Sequence, residues 1–254
     1  MSEFNSYNIN EMRLKPYRKD FLHSYSCGVF PTIELLDNRP DIVQRLIITE
    51  KGLANSGVRK IIQKAQAAKI PYSVDNKTVE RLYPKENSYA IGVFKKYQCE
   101  LALNRNHLVL VNPSDKGNLG TILRTITAFG IEDIAIITPA ADIYDPKVIR
   151  ASMGAVFKTR FALYNSFDDY LSLVNDGNNR DFYPFMLNGK PLEQEKRNPD
   201  KNFSLIFGNE ASGLPDSFLS IGNPVRIMHL DTVDSLNLTI AAAIGIYHFT
   251  QGDF

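Results

Sequence analysis

The chain has 254 residues, enough for one large domain or two modest ones with buried cores. Hydrophobic residues make up 44% and charged residues 22%, which excludes a disordered or fibrous protein. A net charge of +1 excludes little, because binding to nucleic acid needs a local basic face and not a basic total.

The first residues, MSEFNSYNINEMRLK, are polar and lack the apolar run of a signal peptide, which predicts a cytoplasmic protein. Basic residues cluster between Glu11 and Asp20, and residues 1–23 read as a solvated tail sooner than as a contact surface. Tyr25–Phe30 is strand-like, and Pro31–Asn38 predicts a helix with proline at its first position. Val43–Thr49 reads as a strand. Asn55–Ala68 reads as a helix, with apolar residues at Val58, Ile61, Ile62 and Ala65. Ile70–Val74 is a further strand, Asn76–Tyr83 a short helix and Tyr89–Phe94 another strand. This alternation predicts a small α/β domain over residues 24–96, followed by an aperiodic linker at 97–106.

From residue 107 the pattern restarts and predicts a second domain over 107–254. Strand-like runs fall at His107–Val111, Ile134–Thr138, Thr159–Leu163, Phe182–Leu187, Ser204–Phe207 and Val225–Met228, with helices between them. Ile122, Leu123, Ile126 and Phe129 mark the first of these helices, and Leu236–Phe249 is a strongly apolar last one. The fold class is therefore α/β with a mostly parallel sheet.

Three segments put Gly, Asn, Ser or Glu directly after an apolar run: Asn112–Gly130, Leu205–Leu214 and Asp234–Ala241. Open α/β sheets hold ligands at the carboxyl ends of their strands, so three such ends suggest one site. Neither G-x-G-x-x-G nor G-x-x-x-x-G-K-[ST] is present, which argues against dinucleotide and P-loop chemistry. Cys27 and Cys99 lack CxxC spacing, and His23, His107, His229 and His248 lack metal-ligand spacing, so no metal site is expected. Ser235 has no G-x-S-x-G setting for a hydrolase. No run approaches the roughly 18 apolar residues of a membrane helix.

Together the three segments resemble the SpoU/TrmH family of RNA 2′-O-ribose methyltransferases, within the SPOUT superfamily. The first family motif is matched by Asn118, Gly120 and Arg124 in NLGTILR, and the second by Gly208, Asn209, Glu210 and Gly213 in FGNEASGL. The third is matched by Ser235, Leu236 and Asn237 in DSLNLTIA, and RASMGAVFKTRF looks like the family's Ser-x-Gly-Ala segment. The resemblance implies a carboxy-terminal SPOUT domain with a deep trefoil knot, S-adenosylmethionine as cofactor, and methyl transfer to a ribose 2′-hydroxyl of a structured RNA. Ribosomal RNA is expected ahead of transfer RNA. More weakly, residues 24–96 look like the ribosomal-protein-L30e-like substrate-binding domain of many members, with Arg59, Lys60, Lys64 and Lys69 suited to RNA phosphates or simply solvated. Members are generally homodimers, so the apolar last helix is expected to pack against a partner or within one subunit.

The same resemblance assigns catalytic roles to Asn118, Arg124, Glu210, Ser235 and Asn237. It places cofactor contacts at Ile206, Phe207, Gly208, Asn209 and Gly213, and again at Ile227, Met228, Leu230 and Leu236. A guanidinium keeps its proton at neutral pH, so Arg124 is expected to orient the target phosphate and steady a developing alkoxide. Asp234 or Ser235 is an expected N-cap for the last helix. One departure stands out, because members often carry Ile-Pro-Met-x-Gly where this chain reads Ile227, Met228, His229, Leu230 and Asp231. That change bears on cofactor contacts. Two other functions stay open: an RNA-binding knot protein without catalysis, distinguished by absence of cofactor binding, and a methyltransferase for a small molecule or protein.

Overall fold

The computed structural model describes residues 13–86, 88–174, 179–230 and 232–252. Glu11 and Met12 of the basic cluster, and Asp231 of the departing loop, lie outside the described residues. Two compact units emerge: Met1–Tyr97 with Tyr144–Phe157, and Gln98–Ile143 with Lys158–Phe254. A single boundary at 97–106 does not describe this division, since Tyr144–Phe157 leaves the second unit's chain and folds into the first.

In the first unit β1 (His23–Cys27), α1 (Val29–Asn38), β2 (Val43–Ile48) and α2 (Ser56–Ala67) are followed by β3 (Tyr72–Val74), α3 (Asn76–Leu82) and β4 (Ala90–Lys95). The sheet order is β1-β4-β2-β3; β4 runs antiparallel to both neighbours and β3 parallel to β2. Helix α2 starts where the Asn55 side chain accepts hydrogen bonds from the Gly57 and Val58 amides. Its buried residues Val58, Ile61 and Ala65 pack with Leu46 and Ile48 of β2.

Two sequence expectations need correction here. The strand expected to reach Phe30 stops at Cys27, because Gly28 adopts φ 105 and turns the chain into α1. Pro31 is consequently the third residue of that helix and not its first. The described part of the expected tail is also not simply solvated. Leu14 is buried with Tyr25, Val79 and Leu82, and the Tyr25 hydroxyl donates to the Lys15 carbonyl at 2.7 Å. One apolar side chain in a polar stretch suffices to anchor it.

The second half contains β5 (His107–Val111), α4 (Lys116–Ala128), β6 (Asp133–Ile137), α5 (Pro146–Ala151) and β7 (Arg160–Tyr164). It continues through α6 (Phe167–Val174), β8 (Arg180–Pro191), β9 (Asn202–Phe207), β10 (Val225–Arg226) and α7 (Leu238–Thr250). Helix α5 belongs to the first unit; the rest form a six-stranded sheet of order β10-β8-β9-β5-β6-β7. Every pairing in it is parallel, as the strand and helix alternation predicts. Helix α7 is apolar almost all round. It buries Ala242, Gly245, Ile246 and Phe249, and leaves Ile240, Ile244 and Tyr247 exposed. Gly245 is required because a Cβ there would stand 2.4 Å from the ring of Phe185.

Candidate active site

The carboxyl ends of β5 and β9 are joined by one carboxylate. Beyond β9, Glu210 accepts hydrogen bonds from the Ser114 amide (3.0 Å), the Ser114 hydroxyl (2.8 Å), the Asp115 amide (3.0 Å) and Asn118 Nδ2 (3.2 Å). All four donors sit at the start of α4, where Asp115 caps the helix by accepting from the Asn118 amide at 2.7 Å. A carboxylate at a helix amino terminus also meets the positive end of the helix dipole. Partial burial alone would raise the Glu210 carboxyl, but the amides of Ser114, Asp115 and Glu210 itself, with the Ser114 hydroxyl, hold it down to about 2. It is therefore ionised throughout the neutral range.

The Glu210 loop is folded tightly on itself. Asn209 and Gly213 exchange backbone hydrogen bonds of 3.2 and 2.9 Å, and Asn209 Oδ1 accepts from the Ala211 amide at 2.9 Å. Gly208 has no room for a side chain, since a Cβ would lie 2.1 Å from the carbonyl carbon of Gly213. Gly213 has φ +66, which glycine adopts without strain. The Asn209 amide group donates to the Asn112 carbonyl at 2.7 Å, tying this loop to the end of β5 a second time.

Beside this loop opens a cleft of about 410 Å³. Its walls come from the end of β8, the Gly208–Leu214 turn and the segment between β10 and α7. The volume falls within the roughly 300–1,000 Å³ usual for small-molecule clefts. Its lining combines apolar Phe185, Ile227 and Leu236 with polar Asn188, Glu210 and Ser235, an amphipathic character that suits a nucleoside carrying a charged tail.

The expected residues distribute unevenly around this cleft. Phe207, Gly208, Asn209, Glu210, Gly213, Ile227, Ser235 and Leu236 line it. Ile206 is fully buried one residue back in β9, and Met228 and Leu230 are turned outward, 52% and 78% exposed. Asn118 reaches the site through Glu210, and Arg124 is exposed two turns further along α4. Asn237 caps α7 by accepting from the Thr239 amide at 2.8 Å, so the expected caps Asp234 and Ser235 lie before the helix, which begins at Leu238. Phe185, Asn188 and Asp216 line the cleft without having been singled out in the sequence; Phe185 stacks on Phe207 with centroids 4.2 Å apart. Strand β8, expected over Phe182–Leu187, spans Arg180–Pro191, which brings Asn188 into the strand beside Phe185.

A profile of the SpoU rRNA Methylase family matches residues 105–247, more than half of the chain. The chain belongs to the SpoU rRNA methylase family. Within it, the chain is 29% identical over 150 residues to a 23S rRNA (guanosine(2553)-2′-O)-methyltransferase of Bacillus subtilis, covering 59% of this chain and 59% of that relative. The chain thus spans under two thirds of that relative's length. Its fold is similar to the SpoU methyltransferase AviRb of Streptomyces viridochromogenes in complex with AdoMet, at 18% identity, covering 91% of each chain with a TM-score of 0.78. It is also similar to a solved protein described under 2-OH methylation of C/U34 on tRNA, at 27% identity and a TM-score of 0.51, covering 57% of this chain and 94% of that one.

Among the basic residues expected to meet RNA, two are already engaged. Lys64 pairs with Asp37, and Arg59 donates to the Ala54 carbonyl at 2.9 Å. Lys60 is exposed on the same helix. Among the described residues, no helix is long and apolar enough to cross a membrane.

Proposed function

We propose that this protein transfers the methyl group of S-adenosylmethionine to a ribose 2′-hydroxyl of a structured RNA. The observation that carries the reading is the Glu210 carboxylate, which locks the GNEASG turn to the start of α4 beside a cleft of nucleoside size. Family membership and relatives named as 2′-O-methyltransferases support the same chemistry. When bound, the cofactor supplies an electrophilic methyl on sulfur, so the protein's main task is alignment.

In this reading the turn at Gly208–Gly213 and the segment Ile227–Leu236 hold the adenosine, with Ile206 supporting from the core. Met228 and Leu230, whose side chains are exposed, contribute through their backbone. Glu210 and Asn118 keep α4 in register so that Arg124, one turn beyond Gly120, faces the RNA. Arg124 binds the target phosphate and steadies negative charge on the 2′-oxygen as the hydroxyl proton passes to solvent water and the oxygen takes the methyl. Ser235 and Asn237 set the approach to α7, Ser235 at the cleft and Asn237 as its cap.

Ribosomal RNA is the favoured substrate on the strength of the Bacillus subtilis relative, and transfer RNA is the second reading, on the strength of the C/U34 protein. An L30e-like first unit would deliver the RNA, with Arg59, Lys60 and Lys64 near its backbone. A deep trefoil knot in the second unit belongs to the same reading, on the strength of family membership. A cytoplasmic homodimer completes the reading; the exposed Ile240, Ile244 and Tyr247 of α7 form one apolar stripe suited to a second copy.

Mass-spectrometric mapping of 2′-O-methyl ribose in rRNA and tRNA from cells with and without the gene tests the reaction directly. Loss of one methyl in rRNA is expected; loss in tRNA selects the second reading, and an unchanged map refutes both. Arg124→Lys, measured in single turnover with cofactor binding followed separately, is expected to slow transfer about 100-fold. A near-normal rate would remove the bidentate role of Arg124.

A further inference from the structure

The RASMGA segment has no part in the cleft, and it is built into the first unit. Met153 has φ 54 and Gly154 φ 85, so the chain turns sharply there in a conformation that costs a methionine energy. A Cβ on Gly154 would stand 2.6 Å from the Glu34 side chain of α1, which shows how tightly the turn is pressed against that helix. The consequence is that Met153 is pushed outward, 38% exposed, with Arg150 one turn behind it and lying 5.2 Å over the Tyr83 ring.

These side chains border a cavity of about 460 Å³ between the start of α1 and the start of α2. The two helix starts meet closely because Gly57 lacks a side chain; a Cβ there would be 2.4 Å from Val29. Val29, Phe30, Ile33 and Met153 give its lining an apolar part, and Lys60 and Arg150 are the charged residues in it. No Asp or Glu lines it among the described residues. A larger cavity of about 620 Å³ in the same unit differs in this respect, because its Lys51 and Lys85 are balanced by Glu80 and Glu86. Phe30 is 65% exposed at the mouth of the smaller cavity, where its ring is an open stacking surface.

We propose that this cavity binds one unpaired nucleotide of the RNA substrate, with its base on Phe30 and Met153 and its phosphates at Lys60 and Arg150. An aromatic face beside uncompensated cations is the chemistry that takes a splayed-out base and its backbone, since every base offers a π-face and every linkage a negative charge. A base-paired nucleotide presents no free face to Phe30. The site deepens the reading of RNA as substrate and rests on it, but it is separate from the cleft and contributes no group to methyl transfer.

The test uses the full chain, a fluorescein-labelled twelve-nucleotide oligo(U) and a twelve-base-pair RNA duplex, with binding followed by anisotropy across a salt series. Phe30→Ala is expected to weaken oligo(U) binding about five-fold or more and to leave its salt dependence unchanged. The double variant Lys60→Gln, Arg150→Gln is expected to flatten the slope of log K against log salt by about 1.4, at about 0.7 per phosphate contact on a single strand. Calorimetry of S-adenosylmethionine binding runs alongside and should match wild type in both variants, and amide hydrogen exchange over β1, β2 and β4 should match as well, which shows that the substituted first unit folds. Oligo(U) binding that is unchanged in both variants, or a wild type that prefers the duplex, overturns the proposal. Failure of the wild type to bind S-adenosylmethionine instead counts against the methyltransferase reading, and the oligo(U) result remains interpretable by itself.

Discussion

The two ends of the second unit's sheet use polar residues in opposite ways. At the amino ends, β5, β6, β7, β8 and β9 open on His107, Asp133, Arg160, Arg180 and Asn202, of which His107, Asp133 and Arg180 are buried and Arg160 and Asn202 half-buried. Arg160 grips the Asp133 carboxylate with two hydrogen bonds of 2.7 and 2.5 Å, and Asp133 also accepts from the Ala102 amide at 2.9 Å. His107 bonds the Ala102 carbonyl and the Tyr170 hydroxyl, which in turn bonds Ser204, and Arg180 donates to Ser204 and three backbone carbonyls. At the carboxyl ends, the polar groups of Asn209, Glu210 and Ser235 border an open cleft. Polarity alone therefore does not mark function. What distinguishes the ends is whether the hydrogen-bonded groups are sealed inside the unit or stand at the border of an open cleft.

The largest effect that would test this comparison is at the closed end. Asp133 is fully buried, so Asp133→Ala leaves the Ala102 amide without its acceptor and Arg160, 30% exposed, with Glu132 alone, and is expected to cost about 3 kcal/mol. Urea unfolding checks it. A loss below about 1 kcal/mol would mean that the closed end is no more committed to stability than the open one.

Acid pH separates the ends next. Burial, followed by the nearby charge of Arg180, lowers the His107 pKa to about 4 from the ordinary 6.5. The unfolded chain then takes up the proton first, so stability falls as pH drops from 6.5 to 4 and levels off below, by about 3 kcal/mol in all. Glu210 shifts in the same direction from 4.5 to about 2, so its contribution is complete above 4.5 and is lost only as pH falls towards 2. Unfolding free energies measured in steps from pH 7 to 3 should show the first loss in wild type and not in His107→Gln. An upper window that survives His107→Gln would sink the assignment.

At the open end, Glu210→Gln removes the charge and half the acceptor capacity that holds Ser114, Asp115 and Asn118. A cost of about 2 kcal/mol is expected, the scale of hydrogen bonds to a charged group, together with a fall in methyl transfer. Urea unfolding and single-turnover rates read the two effects. Unchanged transfer would detach the Glu210 bridge from the chemistry while leaving the bridge itself intact.

How much of this was legible in the sequence follows from where the chain is regular. The parallel sheet could be read because its buried strands are short apolar runs such as HLVLV and SLIF, each separated by a helix-length stretch. The Gly208–Gly213 turn and Glu210 could be read from motif, because only glycine tolerates the 2.1 Å approach at Gly208. Phe185 was not legible as a site residue: it falls inside the expected strand Phe182–Leu187, but nothing in FMLN says that its ring turns onto Phe207 beside the cleft. The transfer of Tyr144–Phe157 to the first unit was hidden for a similar reason. Local periodicity records that α5 is a helix and is silent about which core receives it.

The smallest effect is the most discriminating. Asn237 is expected both to cap α7 and to contribute to the active site, and its cap geometry is plain: Oδ1 accepts from the Thr239 amide at 2.8 Å and from the Thr239 hydroxyl at 2.6 Å. Asn237→Ala should cost about 1 kcal/mol, typical of a lost N-cap. Asn237→Asp should cost almost nothing, because aspartate caps as well as asparagine and adds a favourable charge at the helix amino end. Aspartate, however, loses the amide donor and would place a negative charge beside an RNA phosphate or a cofactor carboxylate. If Asn237 serves the site as well as the helix, Asn237→Asp keeps the melting temperature and loses activity. If it serves only the helix, the aspartate variant keeps both, and Asn237 belongs with the groups at the closed end whose polarity is spent on the fold.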